Sequence, residues 1–134
     1  MPDRPGGVGS RREARERALA LLYEAEVKGL DGPAVLAAQP IAVDDYAADL
    51  VAGVAEHLTV LDERIGRHAR GWVVERMPVV DRTLLRMAAY ELGWRPDVPR
   101  NAVINEAVEL AKRYSTDDSG RFVNGVLAAI AAAT

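Results

Sequence analysis

Five arginines crowd the first seventeen residues, Arg4, Arg11, Arg12, Arg15 and Arg17, against Asp3, Glu13 and Glu16. Arg11 and Arg15 stack one turn apart on a predicted helix, with Arg12 adjacent, so together they border one side of it. Positive charge at a helix N-terminus opposes the macrodipole. An anionic partner would compensate, and guanidinium groups meet phosphate oxygens bidentately. The segment reads either as an ordinary solvated helix start or as an anion-binding face. Its balance is +2, which leaves −5 on the remaining residues of a chain whose net charge is −3. A basic end on an acidic body is a directed charge pattern. RNA suits it better than DNA, because no helix-turn-helix periodicity or zinc finger is visible. Tyr23, His68, Tyr90, Tyr114 and Phe122 are available to stack on unpaired bases, though each fits a core position as well.

Other chemistries find no footing. Without cysteine there are no disulfides, zinc-thiolate sites, iron–sulfur clusters or cysteine nucleophiles, and a reducing compartment is compatible. His57 and His68 have no thiolate partners, and Glu56-His57 does not fall in a zinc-protease spacing. Neither a metal site nor a catalytic residue is expected. Asp44, Asp45, Asp62, Glu63, Asp117 and Asp118 cluster at predicted helix starts, where the dipole favours them without any catalysis. Gly6-Gly7-Val8-Gly9 precedes no strand and lacks the lysine of a phosphate loop. No cofactor is expected. Met1 to Ser10 is Pro/Gly-rich rather than apolar, unlike a signal peptide, and charges interrupt every apolar run before a membrane span. The expected location is the cytoplasm.

The residues that could do chemistry must be positioned by helices. A chain of 134 residues suits one domain. The expectation is a disordered arm over 1–10 and a single helical domain over 11–134, all-α in class. Ser10 with Glu13 predicts a capping box for the opening helix, whose inward stripe is Ala14, Ala18, Leu21, Leu22 and Ala25, ending near Gly29. Gly32-Pro33 opens a short helix to Ala38. Asp44 or Asp45 caps the next, with Leu50, Val51, Val54 and Leu58 inward and Gly53 at a helix crossing. Thr59 with Asp62 predicts a further capping box, and Gly71 a break before a loose turn over 72–76. From Pro78 to about Trp94 the apolar arc is broad enough for a central helix. Pro99 begins a helix to Tyr114 with Val103, Ala107, Leu110, Ala111 and Tyr114 inward. Asp117-Asp118-Ser119 begins the last, with Phe122, Val123, Val126, Leu127 and Ile130 inward and Gly125 at a crossing. No two-residue alternation suggests a sheet.

The stretch Arg11-Arg12-Glu13-Ala14-Arg15-Glu16-Arg17-Ala18-Leu19, followed by Leu22-Tyr23, resembles the opening helix of the NusB family of bacterial transcription antitermination factors. The stretch from Asp81 to Leu92 is similar to its central helix. Val98 through Tyr114, followed by Arg121-Phe122-Val123-Asn124-Gly125-Val126-Leu127, is more specific still. The resemblance runs from Arg11 to Ile130.

That resemblance implies a bundle of about seven helices with no enzyme activity. It also implies a partnership with NusE, a ribosomal small-subunit protein. The pair would bind single-stranded boxA RNA of nascent ribosomal transcripts, within an antitermination complex on RNA polymerase. Some members self-associate, so a homodimer is a further expectation. By position, Arg11, Arg12 and Arg15 match RNA-contacting arginines, and Asp118 and Phe122 match residues beside the RNA. Charge logic makes Asp118 a capping residue, and both roles are compatible. Asp81 matches an acidic position near the RNA and NusE surface, with Glu75 nearby. The loop before the opening helix is longer here and displaces Arg4, and His68 stands where some relatives place an aromatic. The alternatives are a self-associating protein-interaction module and the NusB-like domain of an RNA methyltransferase system. Nothing like an S-adenosylmethionine fold follows before Thr134, which favours a free-standing factor.

Overall fold

Amphipathic segments of 6 to 21 residues, separated by Gly, Pro and Asp, fold as seven α-helices and one 3-10 turn among the described residues. The computed structural model describes residues 8–133, with side chains from residue 11 onward. The predicted arm therefore lies mostly outside the described residues. Close contacts divide the chain into two units, one ending at Glu56 and one beginning at His57.

The first unit holds α1 (Val8–Lys28), α2 (Gly32–Ala37) and α3 (Asp45–Glu56), each packed on the other two. Helix α1 begins two residues before Ser10, so Ser10 occupies its first turn rather than the cap position. Ala14, Ala18, Leu21 and Ala25 recur at helical spacing, and all four are buried. Gly29, at φ 67°, ends the helix, and the Leu30 N–H donates back to the Ala25 carbonyl at 2.8 Å. Asp31 caps α2, its Oδ1 accepting the Ala34 N–H at 2.8 Å. Asp44 does the same for α3 with the Ala47 N–H at 3.0 Å. Helices α2 and α3 approach closely at Gly32. A Cβ there would stand 2.8 Å from the Ala55 Cβ and 3.1 Å from the Val51 carbonyl oxygen.

The second unit holds α4 (Leu58–His68), the 3-10 turn (Val74–Arg76), α5 (Val79–Trp94), α6 (Arg100–Tyr114) and α7 (Asp117–Ala133). Helix α5 buries ten of its sixteen residues and packs on α4, α6 and α7, as its wide apolar arc requires. Arg86 on α5 grips Asp62 on α4 through Nε and Nη2, at 2.8 and 2.9 Å. That pairing takes the carboxylate predicted to close a capping box with Thr59. Helix α4 instead begins at Leu58, with His57 in the cap position and no side-chain cap bond. Gly71, at φ 78°, makes the break after α4. Arg100 closes the far end of α7 by donating Nη1–H to the Ala131 carbonyl at 2.8 Å.

Two residues predicted inward are exposed, and one predicted helix crossing is not observed among the described residues. Leu58 is over a third exposed, being the first residue of α4 rather than part of the α3 face. Tyr114 is half-exposed as the final residue of α6. Gly125 is exposed, and nothing lies within 4 Å of where its Cβ would be, so no helix crosses there. Gly53 is buried.

Candidate nucleic-acid interface

The arginine cluster takes its form from α1 and α3. Arg12 is exposed, Arg11 half-buried, and Arg15 buried at 5 % exposure. Four-residue spacing places Arg11 and Arg15 above one ring: their Cζ atoms lie 5.6 and 6.0 Å from the Tyr46 centroid. At those distances a guanidinium is attracted to the ring quadrupole, which helps hold the side chains in place. Tyr46 lies in the first turn of α3, directly after the Asp44 cap. The row is thus a part-packed cationic face, with Arg12 as its most accessible member. Two residues after Arg15, about half a turn round the helix, Arg17 donates Nη2–H to Gln39 Oε1 at 3.2 Å.

A different kind of site occurs within the second unit. Trp72, Pro78, Asp81, Thr116, Asp118, Ser119 and Phe122 line a cavity of about 230 Å³. The Trp72 and Phe122 rings meet there with centroids 5.8 Å apart and planes tilted by 56°. Phe122, predicted to point inward, is only partly buried and faces this cavity. Thr116 caps α7, its Oγ1 accepting the Ser119 N–H at 3.0 Å. Its own O–H donates to Ser119 Oγ at 3.1 Å, and Ser119 Oγ–H donates to Asp81 Oδ2 at 2.9 Å. Asp81 is 4 % exposed, and its Oδ1 is closed to water without a hydrogen-bond partner among the described residues. Asp118 is exposed at the rim and ion-paired with Arg121 one turn on.

The two acidic residues matched to a partner surface sit differently. Glu75 is exposed on the 3-10 turn, whereas Asp81 is a wall of the cavity. Directly after Asp81, Arg82 donates to the Glu75 and Met77 carbonyls at 3.3 and 3.0 Å. Burial, and secondarily Arg86, holds the Arg82 guanidinium below its ordinary pKa. His68 is half-buried near the end of α4. Among the described residues no group of three or more His, Cys, Asp or Glu could hold a metal ion. No helix there is long and apolar enough to cross a membrane.

Tyr46, Trp72 and the Thr116–Ser119–Asp81 chain were not singled out by sequence reasoning. Trp72 did leave a signal, as a large aromatic just after a glycine break, with no helical stripe to bury it. Tyr46 and the hydroxyl chain left none.

The NusB family profile matches residues 12–132. The chain belongs to the NusB family. The transcription antitermination protein NusB of Saccharopolyspora erythraea is 48 % identical over 130 residues, covering 92 % of this chain and 88 % of that protein. A T. maritima NusB crystal structure superposes with a TM-score of 0.80 at 36 % identity, covering 91 % of this chain and 90 % of that one. A NusB solved with NusE in complex with dsRNA gives 0.78 at 31 % identity, covering 92 % and 97 %. The all-α NusB fold expected from the sequence is the fold observed. Against that family's pattern the arginines of α1 and the Asp118–Phe122 turn of α7 stand on two different kinds of surface. One offers charge and the other a shaped hollow.

Proposed function

We propose that the chain acts as a transcription antitermination factor that binds single-stranded boxA RNA of nascent ribosomal transcripts together with NusE. The observation that carries this reading is likeness over nine-tenths of the chain to a NusB whose structure holds NusE and, in that case, double-stranded RNA. The cytoplasm is the setting, and the assembly on RNA polymerase is the destination. Arg11, Arg12 and Arg15 meet phosphates, with Arg12 leading because it is the exposed member. Asp118 and Phe122 face bases. Glu75 presents the acidic charge toward NusE, and Asp81 adds its field from inside the cavity wall. Self-association is a second reading, favoured by the exposed apolar line Tyr23, Val27 and Leu30 at the end of α1.

Fluorescence anisotropy with boxA and scrambled RNA, at several salt concentrations and with NusE present, tests the first reading. Each phosphate contact on a single strand contributes about 0.7 to the slope of log K against log salt. Replacing Arg11, Arg12 and Arg15 together by glutamine should lower that slope by up to about 2 and weaken both RNAs alike. An unchanged slope removes the phosphate assignment. A calibrated column run with and without boxA RNA distinguishes the self-associating form.

A further inference from the structure

We propose that Arg82 is a positioning residue of the acidic partner surface: its guanidinium clamps the 3-10 turn, so that Glu75 is presented in one fixed place. This inference rests on the reading above in which Glu75 faces NusE, and adds to it the residue that sets Glu75.

The turn is too short to fix itself. It spans Val74–Arg76, and neither flanking residue supplies a side-chain cap bond at its start. Within it the Arg76 N–H donates to the Val73 carbonyl at 2.9 Å and the Met77 N–H to the Val74 carbonyl at 3.2 Å. Such 3-10 bonds have poorer geometry than those of an α-helix, and one turn has no cooperative length behind it. Val74 and Met77 are buried and anchor the two ends, while Glu75 and Arg76 between them are exposed. Burial of the anchors is non-directional, so it fixes their depth more than the heading of the turn.

Direction comes from α5. Arg82 Nη1 donates to the Glu75 carbonyl at 3.3 Å and to the Met77 carbonyl at 3.0 Å. That nitrogen carries two N–H groups, one for each carbonyl. A single atom on a packed helix thus ties down the backbone on both sides of Arg76. The guanidinium is held there although burial, and secondarily Arg86, disfavour its charge. Its long stem would otherwise let the charge reach open water. Hydrogen bonds from a charged donor to two carbonyls offset that cost. A turn held in this way has less conformational freedom to lose when a partner docks on it.

The sign of the charge separates positioning from plain electrostatics. Arg82 sets a cation close to Glu75, so for a partner drawn to an acidic surface its removal alone should speed association. Positioning demands the opposite result.

The test measures NusE association and dissociation rates on the full chain by biolayer interferometry. Glu75→Gln should slow association, because a charge at an interface rim acts on encounter. Arg82→Met should weaken NusE binding by about two- to tenfold, the cost of ordering one interface side chain, even though it deletes a cation. Added to Glu75→Gln it should cost less than it does alone, since no carboxylate is then left to place. Amide exchange at Arg76 and Met77 should quicken in Arg82→Met while that of α7 stays parental. Should Arg82→Met fail to fold by circular dichroism, Arg82→Gln, uncharged and shorter, takes its place with the same expectations. Equal or tighter NusE binding by the Arg82 variant, or full additivity with Glu75→Gln, overturns the positioning role alone. NusE binding untouched by Glu75→Gln overturns the assignment of Glu75 to the partner surface, and this inference with it.

Discussion

The two candidate surfaces are built by opposite means. The cationic face of the first unit comes almost whole from one helix, whose four-residue repeat stacks Arg11 on Arg15, and α3 adds Tyr46 beneath them. The cavity of the second unit draws on the loop after α4, the start of α5, and the cap and first turns of α7. A charged face tolerates imprecision, because Coulomb attraction falls off slowly and phosphates are everywhere on a nucleic acid. A shaped hollow does not, because aromatic and hydrogen-bonding contacts need fitted geometry. The proposed roles divide accordingly, affinity for the first surface and choice for the second.

The largest expected effect tests that division directly. Phe122→Ala should cost roughly 1–3 kcal/mol of RNA binding through lost stacking, with the salt slope unchanged. A slope that fell in that variant would show Phe122 acting through charge placement and would break the comparison.

Close approach in the first unit contrasts with open space in the second. Gly32→Leu should destabilise by roughly 1–3 kcal/mol through overpacking, since even a Cβ at Gly32 meets Ala55 at 2.8 Å. Urea melts measure this. A midpoint at or above that of the parent would mean that α2 can back away from α3.

Within the arginine row, burial predicts unequal roles. Arg15→Ala should cost about 1 kcal/mol of stability, from its packed stem and its place over Tyr46. Arg12→Ala should stay within about 0.5 kcal/mol of the parent while still weakening RNA binding. Thermal melts alongside anisotropy separate the two. Equal stability in both variants would make the row a purely surface feature.

The smallest effect is a gain. Gly125→Ala should raise stability by about 0.4–1 kcal/mol, because the glycine is exposed inside α7 with nothing near its absent Cβ. A loss in the urea midpoint would restore the helix crossing that the sequence suggested there.

Periodicity and punctuation determined most of the helices before any folding was seen. Ala14, Ala18, Leu21 and Ala25 mark a buried stripe by spacing alone, and Gly29, Asp44 and Gly71 end or cap elements through local backbone chemistry. The arginine face was legible for the same reason, as its members are neighbours on one helix. Capping by Thr59 and Asp62 was misread because Asp62 answers to Arg86, 24 residues away, and no local rule contains that partner. Gly125 was misread because a mid-helix glycine has the same propensity cost whether a neighbour presses on it or not. The cavity belongs to the same class. Ser119 stands 38 residues beyond Asp81, and only tertiary packing brings the start of α7 to that carboxylate and to Trp72. Burial then decided that one oxygen of Asp81 is served by Ser119 and the other is left without a donor, because a hydrogen bond depends on distance and direction that sequence spacing does not encode.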